Sequence, residues 1–288
     1  MANELRTYNG AVAFISGGAS GIGAALGRAL ATRGAQVVLA DRDLPEASAT
    51  ARQIGAAARA EGLDVRDAAA FDAAVGRALK HYGRLDYVFN NAGTGVGGEV
   101  KDYTLDDWRY IVDVNLMGVI HGVQAAYPRM IAQGFGHIVN TASMAGLLPS
   151  PFITSYTATK HAVVGLSQAL RIEARAHHVR VSVVCPGAVR TPILVAGGKY
   201  GRPGKLEVPA ARQLEMWERL RPMDPDVFAG KVLGHVARDE AIIVEPWWWR
   251  AVWWLGRLSP AAAEWLSYRS YVSTKAELEA HAAEPPAG

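Results

Sequence analysis

The sequence predicts a doubly wound α/β domain with a mainly parallel, seven-stranded sheet and helices on both of its faces. Short apolar runs alternate with longer helical stretches across residues 11–245. A glycine-rich turn joins the first run to the first helical stretch, and small or polar residues follow several of the runs. Parallel strands are joined by crossover helices that cover both faces, so the strands are apolar throughout. This alternation places a ligand site at the carboxyl ends of the strands.

Each predicted strand is a short apolar run bounded by glycine or polar residues. The strands are 11–16, 36–40, 60–65, 85–90, 136–141, 179–185 and 241–244. The predicted helices show apolar residues at helical spacing or a high alanine content. They run from the glycine turn to about residue 33, and then over 44–59, 68–82, 106–133 and 155–177. These elements form one predicted domain over 1–245, followed by a tryptophan-rich helical extension over 246–288.

Composition excludes several classes of protein. The chain has 288 residues, half of them apolar, and a formal charge of only +3. No basic run indicates nucleic-acid binding, and no uninterrupted apolar stretch of about 18 residues predicts a membrane-spanning helix. The first ten residues contain no apolar signal segment, and Cys185 is the single cysteine. We therefore expect a cytoplasmic protein without internal disulfides, and contact with a membrane surface is the alternative.

The turn at 17–23 (GGASGIG) is suited to bind a pyrophosphate. Backbone N–H groups and the electropositive helix N-terminus attract phosphate, and glycine lets a ligand approach the backbone. Asp41 ends the second predicted strand, 18 residues after Gly23, where a carboxylate can bind ribose hydroxyls. The alternative is a plain tight turn, with Asp41 as a solvated acid or a helix cap. The glycine turn, the helix and strand that follow it, and Asp41 together favour dinucleotide binding.

A second motif carries candidate proton-transfer groups. Tyr156 and Lys160 are four residues apart in a predicted helix, so they share one face. A nearby ammonium favours the phenolate and lowers the pKa of a tyrosine, which predicts that Lys160 prepares Tyr156 for acid–base chemistry. Ser143 follows the fifth predicted strand and can lie beside the start of that helix. By itself this spacing also fits a helix with two exposed polar residues.

With these motifs in order, the sequence resembles the short-chain dehydrogenase/reductase family over about residues 8–245. The resemblance rests on SGGASGIG at 16–23, DV at 64–65, NNAG at 90–93, YTATK at 156–160 and PGAVRT at 186–191, together with Asp41, Asn115 and Ser143. Ser16 stands where the family often has threonine, and it keeps the hydroxyl. The resemblance implies a Rossmann-type domain, hydride transfer with a nicotinamide cofactor, and a homodimer or homotetramer.

The resemblance also implies a role for each matching residue. Tyr156 would be the general acid/base, Lys160 would lower its pKa and hold the nicotinamide ribose, and Ser143 would bind the substrate oxygen. Asn115 would kink its helix and hold a water in a proton relay to Lys160. The other residues implied to border the cofactor are Gly17, Ser20, Gly21, Ile22, Gly23, Asp41, Arg42, Asp64, Val65, Asn91, Ala92, Gly93, Pro186, Gly187, Val189 and Thr191. No metal site is predicted, because the eight histidines are scattered.

Charge predicts the choice of cofactor. The carboxylate of Asp41 would repel a 2′-phosphate, which favours NAD over NADP. Arg42 complicates this prediction because it could bind a 2′-phosphate. The residue before Gly21 is Ser20, so a second common source of positive charge is missing.

The predicted substrate pocket is apolar. Residues 192–223 form an insertion rich in glycine, proline and charge, which the resemblance implies is a lid over the substrate. The predicted lining residues are Ser143 and Tyr156 with Met144, Leu147, Phe152, Ile193, Leu194 and Trp217. This composition indicates a hydrophobic secondary alcohol or ketone. The alternative is that the apolar residues only pack the lid.

Residues 246–271 hold six of the eight tryptophans, with three arginines among them. Tryptophan and arginine together suit a protein interface, a membrane surface or the entrance of a substrate channel, whereas packing alone does not explain so many tryptophans. Two classes of function follow. The favoured one is an NAD-dependent oxidoreductase, since Asn115, Ser143, Tyr156 and Lys160 are all present. The alternative is a non-catalytic dinucleotide-binding protein that uses 246–271 to bind a partner or a membrane.

Overall fold

A computed structural model describes residues 4–195, 197–202 and 209–282. Its described residues form a seven-stranded sheet in which every neighbouring pair is parallel, with the order β3-β2-β1-β4-β5-β6-β7. The predicted Rossmann-type α/β fold is confirmed. The strands are β1 Val12–Ser16, β2 Gln36–Asp41, β3 Ala58–Gly62, β4 Tyr87–Asn90, β5 Gly136–Thr141, β6 Val179–Pro186 and β7 Ile242–Glu245.

Helices cover both faces of the sheet. Those of the described chain are α1 Gly21–Thr32, α2 Leu44–Ile54, α3 Ala68–Tyr82, α4 Leu105–Val112, α5 Gly118–Gln133, α6 Thr154–Ala174, α7 Ala210–Glu218, α8 Pro225–Ala237, α9 Trp249–Leu258 and α10 Pro260–Ala282. None of them is long and apolar enough to cross a bilayer, as far as the described residues extend.

Two hydrophobic cores form, one on each face of the sheet. Phe14 of β1 packs with Phe71 of α3 on one face. The next residue, Ile15, belongs to the other core, together with Leu26 of α1 and Phe228 of α8. Successive side chains of a strand point to opposite faces, so both must be apolar when both faces are covered. This explains the continuous apolar run at 11–15.

Three predicted elements differ from the structure in ways that have a clear physical reason. β3 is Ala58–Gly62 rather than 60–65, because it pairs with β2 from Val37 to Asp41 and leaves residues 63–65 beyond the sheet. α2 ends at Ile54 rather than 59, where Gly55 takes a positive φ of 94° and its N–H bonds the carbonyl of Ala51. The helix predicted over 106–133 is divided by a π-helical turn at Asp113–Met117.

The point where the strand order reverses lies between β1 and β4. Helices after these two strands pack on opposite faces, so a crevice opens at the carboxyl ends of the strands. β1, β4 and β5 end there at Ser16, Asn90 and Thr141. The glycine turn, the NNAG segment and Ser143 each follow one of these ends, so the topology gathers the predicted motifs at one edge.

Candidate active site

Ser143, Tyr156 and Lys160 meet just beyond the carboxyl end of β5. Ser143 caps a short 3₁₀ turn, and its hydroxyl accepts a hydrogen bond from the N–H of Ala145 at 3.1 Å. α6 begins at Thr154, so Tyr156 and Lys160 occupy its first turns. The Ser143 side chain lies close enough to the Tyr156 hydroxyl to affect its pKa, and the Lys160 ammonium lies 5.4 Å from the centre of the Tyr156 ring. The structure therefore brings together the three residues that the sequence singled out.

The ammonium of Lys160 is buried, with only 2% of the residue exposed. It donates a hydrogen bond to the carbonyl oxygen of Thr141 at 2.8 Å. Burial disfavours a charge and lowers the pKa of Lys160 to about 8. Sequence reasoning missed Thr141, whose signal is its position at the end of a strand two residues before Ser143.

The pKa of Tyr156 shifts in the direction opposite to the prediction. Burial of the phenol raises its pKa to about 12, and the neighbouring Ser143 side chain opposes this without reversing it. The expected lowering of the pKa is therefore absent, because the phenolate loses more hydration than the neighbouring groups replace. Tyr156 is thus a protonated phenol at neutral pH.

Asn115 lies in the π-helical turn between α4 and α5 and is fully buried. Its side-chain oxygen accepts a hydrogen bond from the N–H of Thr94, and its amide group donates one to the carbonyl of the same residue, both at 2.9 Å. The predicted distortion of the helix is present. The water-holding role remains a prediction, and the side chain itself fixes the backbone after the NNAG segment. Thr94 carried no sequence signal for this contact.

The glycine turn and the NNAG segment are hydrogen-bonded to each other. The Ser16 hydroxyl accepts hydrogen bonds from the N–H groups of Asn91 and Ala92 at 3.1 and 3.2 Å. The Asn91 amide donates to the carbonyls of Ser16 and Gly17 at 3.2 and 3.3 Å. Gly17 has a φ of +67°, and a Cβ there would lie 2.8 Å from the Cα of Ala92. Only glycine fits this approach of the two loops.

The start of α1 fits the phosphates of a dinucleotide. Ser20 is its N-cap residue but makes no side-chain capping bond, and the first turn contains no acidic residue. The N–H groups there keep their positive potential for an anion. Thr191 approaches from the other side, 3.3 Å from the position of a Cβ on Gly21. Ile22 and Gly23 continue the same turn of α1.

Asp41 is held beside the glycine turn. Its carboxylate accepts hydrogen bonds from the N–H groups of Ala19 at 3.1 Å and Asp43 at 3.0 Å. This position at the end of β2 fits the predicted contact with an adenosine ribose. The guanidinium of Arg42 stacks 3.3 Å from the centre of the Tyr200 ring.

Part of the predicted lid contacts the region that follows β2. Tyr200 donates a hydrogen bond to the Asp43 carboxylate at 3.2 Å, and Lys199 forms an ion pair with the same group. Arg202 pairs with Asp107 of α4 at 2.8 Å. Residue 196 and residues 203–208 of the predicted lid lie outside the described residues. The described contacts place 197–202 next to Arg42 and Asp43, which directly follow the acid predicted to bind the ribose.

The remaining predicted cofactor residues lie along the same edge. Asp64 forms an ion pair with Arg66 at 2.6 Å, which lowers the pKa of its carboxyl group. Val65 is buried against Gly118 at the start of α5, and Gly93 lies near Asn115 and Lys160. Pro186 ends β6. Val189 is packed in a hydrophobic core, and its place beside the cofactor stays a prediction.

The predicted substrate-lining residues divide into two groups. Met144 and Leu194 are buried, with 5% and 7% of each residue exposed, and Met144 belongs to a hydrophobic core. The others are half-buried and thus reachable: Leu147, Phe152, Ile193 and Trp217.

The C-terminal helices close the substrate side of this edge. Tyr271 of α10 stacks on Phe152 with ring centres 5.1 Å apart, and Ser267 donates a hydrogen bond to the carbonyl of Pro149 at 3.2 Å. Trp249 of α9 lies directly against Gly187, where any side chain would collide with its indole. Sequence reasoning did not connect Trp249 with the PG turn, because 62 residues separate them.

Comparison with known proteins identifies the family. The family model for short chain dehydrogenases matches residues 11–198. A 3-alpha-(or 20-beta)-hydroxysteroid dehydrogenase of Mycobacterium tuberculosis is 41% identical over 184 residues, which are 64% of this chain and 71% of the relative. A trans-4-hydroxycyclohexanecarboxylate dehydrogenase of Sinomonas cyclohexanicum is 38% identical over 216 residues, 72% of this chain and 82% of the relative.

A solved structure shows the same architecture. The short chain dehydrogenase/reductase of Burkholderia phymatum, in complex with NAD, superimposes with a TM-score of 0.78 at 33% identity, covering 88% of this chain and 95% of that one. The chain belongs to the short-chain dehydrogenase/reductase family. It is therefore an oxidoreductase by descent, and the resemblance seen in its motifs is confirmed.

The shifted pKa of Lys160 predicts a pH-dependent stability. Its folded-state pKa of about 8 lies below the ordinary value of 10.5, so the unfolded chain binds more protons between these pH values. The free energy of unfolding then rises with pH across this window, by about 3 kcal/mol from this group. We expect Lys160→Met to lose this rise in urea unfolding measured at pH 7.5 and pH 10.

A matched control is Lys80→Met, which removes an exposed lysine of α3. It should keep the pH dependence of the unmodified protein, because it leaves the buried Lys160 unchanged. Equal pH dependence in Lys160→Met and the unmodified protein would show that Lys160 is not buried as described.

Proposed function

We propose that this protein is an NAD(H)-dependent dehydrogenase that interconverts a hydrophobic secondary alcohol and its ketone. The observation that carries the proposal is the cluster of Ser143, Tyr156 and Lys160 at the same sheet edge as the glycine turn. In the same proposal the protein acts as a homodimer or homotetramer in the cytoplasm. A non-catalytic binding protein would have no need to keep a buried lysine beside a tyrosine at a cost in stability.

Tyr156 manages the proton of the reaction. A bound nicotinamide supplies the hydride chemistry, and the chain supplies position and proton transfer. In the reductive direction, the Tyr156 phenol gives its proton to the carbonyl oxygen as that oxygen becomes an alkoxide. In the oxidative direction, the phenolate takes the proton of the alcohol. Ser143 donates a hydrogen bond to the same oxygen and fixes its distance from Tyr156.

Lys160 adjusts this proton transfer by its charge. With a pKa of about 8, it is mostly protonated at neutral pH. Its ammonium lies close enough to Tyr156 to stabilise negative charge as the proton leaves. Because the pKa of Tyr156 is raised to about 12, the resting site is prepared to donate a proton. Oxidation should therefore speed up as the pH rises, since it requires the phenolate.

The choice of NAD rests on Asp41. Its carboxylate is fixed next to the glycine turn by the N–H groups of Ala19 and Asp43, so a 2′-phosphate would meet a charge that cannot turn away. The opposing cation, Arg42, is stacked on Tyr200. Solved relatives from Burkholderia phymatum and Brucella melitensis are complexes with NAD and NADH, which supports a nicotinamide dinucleotide as the cofactor.

The class of substrate rests on the half-buried apolar side chains near Tyr156. Leu147 and Phe152 belong to the loop between Ser143 and α6, and Tyr271 covers Phe152. The two named relatives act on alcohols carried by carbon rings, a hydroxysteroid and a hydroxycyclohexanecarboxylate. A cyclic, mainly apolar secondary alcohol fits both observations.

The mechanism predicts that Tyr156→Phe loses turnover and keeps cofactor binding. The substitution removes the proton donor but leaves the ring and its packing, so kcat should fall by about 1000-fold. Initial rates followed by NADH absorbance, with NADH affinity from fluorescence titration, provide the measurement. Tyr127→Phe, on α5 away from the site, should retain turnover. A Tyr156→Phe rate within tenfold of the unmodified protein would contradict the mechanism.

The position of Asp41 predicts the effect of its removal. In Asp41→Ala, the ratio of kcat/KM for NAD to that for NADP should fall by at least about tenfold, because the repulsion of the 2′-phosphate is lost. Asp67→Ala is the control, since the Asp67 carboxylate also accepts a hydrogen bond from a backbone N–H, that of Ala70, and lies outside the glycine turn. An unchanged ratio in Asp41→Ala would show that another group sets the preference.

The apolar pocket predicts a preference for large substrates. With NAD, kcat/KM should rise by at least about tenfold from cyclohexanol to a steroid alcohol, since each added buried carbon contributes binding energy. Phe152→Ala should remove part of this gain mainly by raising KM. The measurement is a series of initial rates over secondary alcohols of increasing ring number. Highest efficiency with a small polar alcohol would refute the apolar pocket but would leave the tyrosine mechanism intact.

A further inference from the structure

The outer surface of α9 and α10 carries exposed aromatic and aliphatic side chains that have no use in the active site. We call this surface the Trp face and define it as Trp247, Trp254, Leu255, Leu258, Trp265 and Tyr268. Trp247 is 64% exposed, Trp254 and Trp265 are each 55% exposed, and Leu258 is 81% exposed. A patch of this kind on a folded domain marks an interaction site.

Helical spacing separates the Trp face from the packed side of α9. Trp249 and Trp253 point inward and pack against the hydrophobic core, and Gly256 lies on Leu148. Trp254 and Leu258 are one turn apart on the opposite side. The inward residues already anchor the helix, so the outward ones are not needed to hold it in place.

Several arginines lie along the segment that forms the Trp face. Residues 246–272 contain Arg250, Arg257 and Arg269 but only one acidic residue, Glu264. Arg250 pairs with Glu240 at 3.4 Å. Arg257 lies 5.7 Å from the centre of the Trp253 ring, and Arg269 lies 4.9 Å from that of Trp265. Neither arginine forms an ion pair with another described residue, so both charges remain available to an external anion.

A groove of about 500 Å³ adjoins the Trp face where α9 begins. Arg219, Arg221, Trp248 and Val252 line it. Arg219 already pairs with Glu277 at 2.9 Å, whereas Arg221 has no ion pair among the described residues. The groove thus combines a free guanidinium with apolar walls, which fits an anionic headgroup next to an acyl chain.

We propose that the Trp face docks on an anionic lipid surface. Indoles prefer the boundary between headgroups and acyl chains, because they are apolar with one polar N–H. Arginine stems lie along apolar surface while their charges reach phosphates. A second copy of the chain fits less well, because a two-fold contact uses the same patch of both copies, and residues 246–272 offer Arg257 and Arg269 only one acidic residue, Glu264. Since no described helix spans a bilayer, the contact is peripheral.

Co-sedimentation with vesicles tests the proposal. The full-length protein should sediment with vesicles of phosphatidylcholine and phosphatidylglycerol, and markedly less with phosphatidylcholine alone. Trp254→Ser combined with Leu258→Ser should lower the partition coefficient at least about tenfold, because two exposed apolar anchors are lost. Arg257→Gln combined with Arg269→Gln should lower it about 20-fold on the anionic vesicles only.

Ile172→Ser is the matched control, since Ile172 is 75% exposed and lies near the far end of α6 from Tyr156. It should sediment like the unmodified protein, and all variants should keep their unfolding temperature and oligomeric state. Three outcomes would overturn the proposal: no sedimentation with anionic vesicles, equal sedimentation with both vesicle types, or equal loss in Ile172→Ser. Self-association that Trp254→Ser and Leu258→Ser abolish, without vesicle binding, would assign the face to a protein partner instead.

Discussion

The site depends on one buried cation. Lys160 lies between β5 and α6 and gives up its hydration for a single hydrogen bond to the Thr141 carbonyl and the proximity of Tyr156. Such an arrangement costs stability, and the fold tolerates it because the parallel sheet and its helices hold the surroundings rigid. Lys160 reaches this position because of where α6 begins. The same beginning of α6 places Tyr156 against Ser143.

A second constraint joins the two halves of the crevice. The hydroxyl of Ser16 and the amide of Asn91 tie the end of β1 to the end of β4. Because these bonds fix the glycine turn, the N–H groups at the start of α1 can face an anion although no side chain caps that helix. The cofactor cradle and the proton-transfer cluster are thus two results of the same feature, the parallel strands ending at one edge.

Much of this arrangement could be predicted from sequence, because the chemistry is local. The strands can be recognised in the sequence because they are apolar on both faces. The glycine turn and the Tyr156–Lys160 spacing can be recognised because each is contained in a few residues. Contacts between distant segments could not be predicted, such as Asn115 with Thr94 or Trp249 with Gly187. The weakly apolar sequence of β3, ARAEG, explains its misplaced boundary. The pKa of Tyr156 was misjudged because burial, which raises it, is a property of the whole fold.

The contact between Trp249 and Gly187 has a thermodynamic consequence. Trp249 starts the helix that carries the Trp face, and Gly187 starts the loop that follows β6 beside the cofactor cradle. A movement of α9 must also move this loop, because the indole of Trp249 lies directly between the backbone of α9 and the backbone of the loop at Gly187. Coupling between two sites is reciprocal. If a surface bound to α9 changes the affinity for a nicotinamide dinucleotide by some factor, then the dinucleotide changes the affinity for that surface by the same factor.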